Sequence, residues 1–125
     1  MKIEYLQRFY TRSPVHKKGD KMYMTKCIGK GNMKIFIDTK QGHASVSVYS
    51  YSTLIMWCEF KNGAQTFDVF NKEHYSSTTT RHQGYAADIY VQLKVSENPV
   101  SFLSNFGIKD LKYMGVEERK YWNLI

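Results

Sequence analysis

The densest group of polar side chains lies between residues 71 and 83, where hydroxyls stand beside an arginine and a histidine. These residues precede a stretch with helical spacing. The free N–H groups at the start of a helix favour anions. The sequence therefore predicts an anion or phosphate site formed by Ser77, Thr78, Thr79, Arg81 and His82. The alternative is that the hydroxyls only cap the helix, while Arg81 and His82 tie it to a sheet.

The other titratable side chains form no recognisable catalytic or metal-binding pattern. His74 and His82 are eight residues apart, which is not the four-residue spacing of a helical metal pair. The chain has neither a Gly-x-Ser-x-Gly elbow nor a Cys-x-x-Cys pair. We therefore expect a protein that is not an enzyme and uses no metal and no cofactor. A metal-dependent nuclease built on His74 and His82 is kept as an alternative.

Positive charge is concentrated in the first third of the chain. The net charge is +7, and residues 1–40 hold ten Lys and Arg against three acidic residues, so the remainder is neutral. Basic side chains neutralise phosphates, and aromatic rings interleaved with them stack on exposed bases. This predicts a basic face that contacts nucleic acid or a host effector protein that binds nucleic acid. Its predicted residues are Arg8, Tyr10, Arg12, Lys17, Lys18, Lys21, Lys26, Lys30 and Lys34, with Tyr49 and Tyr51 beside them. The alternative is a solvated face without a partner.

Alternation of apolar and polar residues from Met22 onward predicts an antiparallel β-meander. Asn62-Gly63 is a strong type I′ hairpin signal. Val46 and Val48 are expected on one face, and Tyr49 and Tyr51 on the open face. The predicted strands span 22–28, 33–38, 44–51, 53–60 and 65–70. Residues 12–20 are expected to form a basic loop, while residues 2–11 fit a helix or a strand, with a slight preference for a strand.

Apolar residues at three- and four-residue spacing then predict a helix over 79–95, with Gly84 on its polar side. Asn98-Pro99 starts a short helix that Gly107 ends, and a further turn or helix is predicted before Tyr121. Strands first and helices last predict an α+β fold. We expect one domain over 1–125: an antiparallel meander of about five strands, followed by two or three helices packed on one face.

The location of the protein is also predicted from composition. No apolar signal region follows Met1, and no apolar run is long enough to span a membrane. Cys27 and Cys58 lie in apolar strand-like runs and are expected to be buried thiols. We therefore expect a cytoplasmic protein without a membrane partner; its oligomeric state is left open.

Part of the chain resembles a known group of proteins. Ser52-Thr53-Leu54-Ile55 after a Ser- and Tyr-rich strand, and then Tyr75-Ser76-x-Thr78-Thr79-x-Arg81-His82-Gln83, resemble short proteins of bacteriophages and other mobile elements. The resemblance covers about residues 47–86. It implies a phage or prophage origin in a bacterial host cell, but no activity. Together with the small size and the one-sided charge, it suggests a non-enzymatic inhibitor of a host defence nuclease, of the anti-CRISPR type. The alternative is a nucleic-acid-binding accessory protein in phage replication or host takeover.

Overall fold

The computed structural model describes the backbone of residues 15–18 and 21–125, and side chains from residue 25 onward. The described residues form one antiparallel sheet, with its strands in chain order, followed by helices. The strands are β1 (Val15–Lys18), β2 (Lys21–Lys30), β3 (Met33–Lys40), β4 (His43–Ser50), β5 (Thr53–Lys61) and β6 (Ala64–Phe70). The helices are α1 (Ser77–Val95), α2 (Pro99–Asn105) and α3 (Val116–Tyr121), with a 3₁₀ turn at Ile108–Asp110. The predicted α+β meander followed by helices is confirmed.

Two-residue turns join the strands from β2 to β6, and the register shifts by one residue at Val48/Tyr49 and at Glu59/Phe60. The turns lie at 31–32, 41–42, 51–52 and 62–63, so the chain reverses about every ten residues. Asn62 has a φ of 54° and Gly63 a φ of 81°, which are the positive values that a type I′ turn requires. Lys61 therefore pairs directly with Ala64. The predicted Asn62-Gly63 hairpin is confirmed.

The predicted loop over residues 12–20 is wrong for its central part. Val15–Lys18 forms β1, in which Val15 pairs with Met24 and Lys18 with Lys21. Lysine and histidine have little strand preference of their own, and backbone pairing with the ten-residue β2 outweighs it. The predicted segment 2–11, together with Arg8, Tyr10 and Arg12, lies outside the described residues.

The main hydrophobic core lies between α1, α2 and one face of the sheet, as predicted. Side chains alternate across a strand, so every second residue of the central strands faces the helices. Each fully buried aliphatic side chain stabilises the fold by about 1.5–3 kcal/mol. The core includes Ile35 and Ile37 of β3, Val46 and Val48 of β4, Met56 and Cys58 of β5, Ile89 and Leu93 of α1, and Leu103 of α2.

The opposite side of the sheet, which we call the outer face, is exposed only in part. Tyr49 was predicted to be exposed there, and this is wrong because only 1% of it is accessible. Its ring packs edge-on against Phe36 with centroids 6.0 Å apart, and Phe36 is itself buried. On β6, by contrast, Phe67 is 45% and Val69 40% exposed. The open part of the outer face therefore lies on β5 and β6.

Gly84 was predicted to lie on the polar side of α1, but it is buried under an aromatic ring. A Cβ at this position would come within 2.7 Å of Tyr113 Cδ1 and 2.9 Å of Cζ. The Tyr113 hydroxyl accepts a hydrogen bond from Arg119 Nη2 at 3.1 Å, and Met114 N–H donates to Gly84 O at 3.1 Å. A side chain at residue 84 is therefore incompatible with this position of the C-terminal segment.

We expect Gly84→Ala to lower the free energy of unfolding by about 1–2 kcal/mol, because the added methyl group displaces the Tyr113 ring. In a Tyr113→Ala background the same change should stabilise the protein by up to about 1 kcal/mol, because alanine is the better helix former. Urea denaturation of the four proteins in this cycle measures both values. The control is Tyr121→Ala, which removes a tyrosine that is 81% exposed. A stabilising Gly84→Ala in the Tyr121→Ala background would contradict the explanation.

Candidate functional site

The start of α1 is capped by a side chain of the chain itself. Ser76 is the N-cap, and its Oγ accepts a hydrogen bond from Thr79 N–H at 3.2 Å. Its carbonyl accepts from Thr80 N–H at 2.9 Å. Such a cap satisfies donors that an anion at the helix start would otherwise use.

Two residues of the predicted anion site point into the protein, where they join α1 to β4. Ser50 Oγ lies 2.8 Å from Thr79 Oγ1 and 2.7 Å from His82 Nδ1, and all three side chains are buried. A neutral imidazole with its proton on Nε2 accepts at Nδ1, so the Ser50 hydroxyl can then donate to His82 while it accepts from Thr79. Burial lowers the pKa of His82, and the Arg81 charge lowers it further. The neutral ring is therefore the form that belongs to this network.

The side chain of Gln83, in the first turns of α1, holds the connection between β6 and α1. Gln83 Nε2 donates to the carbonyl oxygens of Asn71 and Glu73, each at 2.9 Å. Asn71 Nδ2 donates to Tyr75 Oη at 3.0 Å. Ser77 and Arg81 are exposed and Thr78 is half-buried, whereas Thr79 and His82 are turned inward. The five predicted residues do not converge on one point, so the geometry favours the alternative in which the hydroxyls cap the helix. His82 ties the helix to the sheet as that alternative expects, whereas Arg81 is exposed.

The lysines that are close in sequence are dispersed by the fold. Lys26 Nζ donates to the carbonyl oxygens of Ser104 at 3.1 Å and Phe106 at 2.5 Å, on the helix side of the sheet. Lys30 Nζ lies 5.6 Å from the centroid of the Tyr85 ring in α1. Lys34 pairs with Tyr49 on the outer face. The structure therefore places Lys26 and Lys30 on the helix side of the sheet and Lys34 on the outer face, so the three lysines do not share one face.

A different set of cations meets at one end of the sheet, which we call the cationic end. The β3–β4 and β5–β6 turns lie there. Lys40 pairs with His43, and His43 pairs with Lys61, so the three side chains share one face. Directly paired residues have Cβ atoms about 5 Å apart. The backbone register places Lys18 opposite Lys21 at the same end, and Lys17 opposite Met22 one step inward.

The exposed Phe67 and the half-buried Trp57 lie on the outer face one and two steps inward from this row. Phe67 pairs with Glu59, and Trp57 pairs with Val69. The rings of Trp57 and Phe67 meet edge-on with centroids 5.1 Å apart. A groove of about 300 Å³ lies beside them, lined by Asp38, Lys40, His43, Ser45, Glu59 and Lys61, among others. Cations, acceptors and aromatic rings are thus adjacent on one surface.

The two carboxylates in this groove are already hydrogen-bonded. Asp38 Oδ1 accepts from Thr25 Oγ1 at 3.1 Å, and Glu59 Oε2 accepts from Trp57 Nε1 at 3.0 Å. Each carboxylate oxygen has more than one lone pair, so both can accept further hydrogen bonds. The groove combines a cationic edge with an acceptor-lined floor.

Most of this surface was not predicted, although the sequence contains a signal for it. Lys40 and His43 flank a two-residue turn, so a hairpin makes them neighbours. Lys61 precedes Asn62-Gly63, and a meander places every second turn at the same end. Tyr51, by contrast, is exposed as predicted, but it lies in the turn at the other end, beside His82 with ring centroids 6.4 Å apart.

The remaining predictions concern metals, thiols and membranes. In the part of the chain that the structure describes, no three His, Cys, Asp or Glu side chains are grouped to hold a metal ion. Cys27 and Cys58 are free thiols, and Cys58 is buried, which raises its pKa to about 12. Cys27 is only half-buried. None of the described helices has both the length and the apolar character needed to cross a membrane.

We expect the unfolding free energy to fall as the pH decreases below about 6.5, the ordinary histidine pKa, since the unfolded state then takes up a proton that folded His82 resists. The loss should end below the lowered pKa of the folded protein and amount to at most about 1.4 kcal/mol per pH unit. Urea denaturation from pH 5 to 8 measures it. His82→Gln should flatten this part of the profile, whereas His74→Gln, which changes an exposed histidine, should not. An unchanged slope in His82→Gln would contradict the assignment.

Comparison with known proteins identifies the chain at the level of a family. Neither the curated proteins nor the solved structures include a match. A protein-family model, described as a family of unknown function (DUF8033), matches residues 8–90. The match includes β1 to β6, the capped start of α1 and the cationic end. Because it spans more than half of the chain, the protein belongs to the DUF8033 family, whose function is unknown.

Proposed function

We propose that this protein is a non-enzymatic binding protein that holds single-stranded nucleic acid across the outer face of β4, β5 and β6. The observation that carries the proposal is the row of Lys40, His43 and Lys61 beside the exposed Phe67. Sequence-tolerant single-strand binders combine cations along the backbone with aromatic rings under the bases. The same two kinds of group are adjacent here.

The arrangement of the groups also suggests how a strand would lie. Phosphates would follow the cationic end, where Lys40 and Lys61 are exposed. The bases would then extend inward over Phe67 and Trp57 and the acceptor-lined groove. Asp38 and Glu59 repel phosphates but accept hydrogen bonds from the amino groups of bases. The acids therefore orient the strand rather than prevent its binding.

The cationic end also suits the partners predicted from the sequence. An accessory protein in phage replication or host takeover would contact nucleic acid directly. An inhibitor of a host defence nuclease would place the same cations against guide nucleic acid or an acidic groove of the enzyme. The aromatic rings favour direct contact with nucleic acid over contact with an acidic protein groove, because a protein groove offers no bases for stacking.

Fluorescence anisotropy with a labelled single-stranded oligonucleotide tests the cationic row. We expect binding at low salt that weakens steeply as salt increases. Lys40→Glu with Lys61→Glu should abolish it, and Lys40→Ala with Lys61→Ala should reduce the slope of log affinity against log salt by about 1.4, or 0.7 for each lost phosphate contact. The matched control is Lys72→Glu with Lys120→Glu, which makes the same charge change at exposed positions away from the row.

A second variant separates stacking from charge. Phe67→Ala should weaken binding about fivefold or more without changing the salt slope, because a stacked base contributes about 1–3 kcal/mol. Tyr121→Ala removes an 81% exposed ring elsewhere and should have no effect. If no oligonucleotide binds at low salt, the proposal fails, and affinity capture with host nucleases then tests the inhibitor hypothesis.

A further inference from the structure

A second concave site lies on the other side of the molecule, between α1, α2 and the 3₁₀ turn. This cleft has a volume of about 460 Å³, which is within the range of small-molecule sites. Successive elements contribute polar side chains to it, and two phenylalanines form a wall. The lining residues are Asp88, Gln92, Ser101, Phe102, Asn105, Phe106, Lys109, Asp110 and Lys112. All of them except Asp88 lie beyond the residues that the family model matches.

The wall of the cleft is held in place before any ligand binds. Lys26 Nζ donates to the carbonyl oxygens of Ser104 and Phe106, so β2 fixes the end of α2. Asp110 Oδ2 accepts a hydrogen bond from Gly107 N–H at 2.9 Å, which closes the 3₁₀ turn. Preformed walls reduce the conformational entropy that a ligand would otherwise remove on binding.

Asp88 is a carboxylate in this cleft that accepts a hydrogen bond from Gln92 and can accept others. It is half-buried, and it belongs to neither of the two ion pairs among the described residues, Lys94–Asp68 and Lys120–Glu117. Burial raises its pKa, while Lys112 opposes the shift, Glu118 adds to it, and a hydrogen bond from Gln92 opposes it. A carboxylate in this setting gains from a ligand that offers N–H donors.

The other lining groups restrict the class of ligand. Phe102 is half-buried at the wall, and its ring lies 5.7 Å from that of Phe106, so a flat ring can pack against it. Lys109 and Lys112 are exposed at the rim, where they can contact an anionic group. Gln92 and Asn105 add amide donors and acceptors to the lining. A suitable ligand has a planar ring with N–H donors at one end and a negative charge at the other.

We propose that the cleft binds a guanine nucleotide, with the base against Phe102, its N1–H and amino group donating to Asp88, and the phosphate at Lys109 and Lys112. Guanine presents two adjacent donors on one edge, which match the two oxygens of a carboxylate. Adenine has an acceptor at N1 and would face the carboxylate with a lone pair. The site is separate from the cationic end, so it does not depend on nucleic-acid binding there.

Isothermal titration calorimetry of the full chain with GMP, AMP and guanosine tests this assignment. GMP should bind at millimolar concentration or below. AMP should bind about tenfold more weakly, because it lacks one donor to Asp88. Guanosine should also bind more weakly than GMP, because it has no phosphate for the lysines. Absence of GMP binding, or equal affinities for GMP and AMP, would overturn the proposal.

Variants locate the binding site and identify the role of Asp88. Asp88→Asn should weaken GMP binding about tenfold and reduce the preference for GMP over AMP, since a carboxamide offers a donor in place of one acceptor. Lys112→Ala should reduce the difference between GMP and guanosine. The control Glu97→Gln makes the same acid-to-amide change at an exposed residue outside the cleft and should bind normally.

The variants also distinguish this site from the proposed nucleic-acid surface. GMP binding should be unchanged in Lys40→Glu with Lys61→Glu, the variant that removes the cationic row. Loss of GMP binding in that variant, or unchanged binding in both Asp88→Asn and Lys112→Ala, would show that the nucleotide binds elsewhere and would overturn the assignment. A thermal melt of each variant confirms that it is folded.

Discussion

The register of the sheet is the constraint on which the other features depend. Two-residue turns set the pairing next to them, and one-residue shifts at Val48/Tyr49 and at Glu59/Phe60 then set the pairing along the rest of β5 with β4 and β6. A further slip of one residue would exchange the two faces of a strand. With the register fixed, Ile35, Val48 and Met56 face the helices together. The same register makes Lys40, His43 and Lys61 neighbours on the outer face. Core and candidate surface are therefore two consequences of one pairing pattern.

Buried polar contacts then fix how the helices sit on the sheet. Ser50, Thr79 and His82 join the end of β4 to the first turns of α1, and Gln83 holds the preceding connection. Further along, Tyr113 covers Gly84 and binds Arg119, which is itself 1% exposed. Hydrophobic contact is non-directional, whereas these hydrogen bonds require particular atoms to meet. They give the packed helices a defined position.

The two candidate sites occupy different parts of this framework and have different chemistry. The outer face at the cationic end is open, with cations in a row and aromatic rings beside them. The cleft between α1 and α2 is concave and is lined by the half-buried carboxylates Asp88 and Asp110 and by two exposed lysines. Lys26 shows that a residue counted with one charged segment of the sequence can belong to a different site in the structure. Its charge contributes to the basic first third, but its side chain holds the wall of the cleft.

Sequence patterns alone predict the α+β class, the order of the elements from β2 onward, and the boundaries of β2 to β6 and α1 to within two residues. Those features depend on local signals: two-residue and helical periodicity, Asn62-Gly63, the hydroxyl residues before α1 and Asn98-Pro99. The sequence by itself did not determine β1, because pairing with β2 decides whether residues 15–18 form a strand. The buried state of Tyr49 and Gly84 was also decided by tertiary packing, since each is covered by residues distant in sequence or on another strand.

The same distinction applies to the functional residues. The total positive charge and its concentration in residues 1–40 can be counted from the sequence. Which cations act together depends on the meander, which separates Lys26 and Lys30 from Lys34 and joins Lys40 to Lys61 across β4. The charge of each residue can be read from the sequence, but a charged surface forms only where charged residues are neighbours in space. Strand pairing, not position along the chain, decides which residues are neighbours.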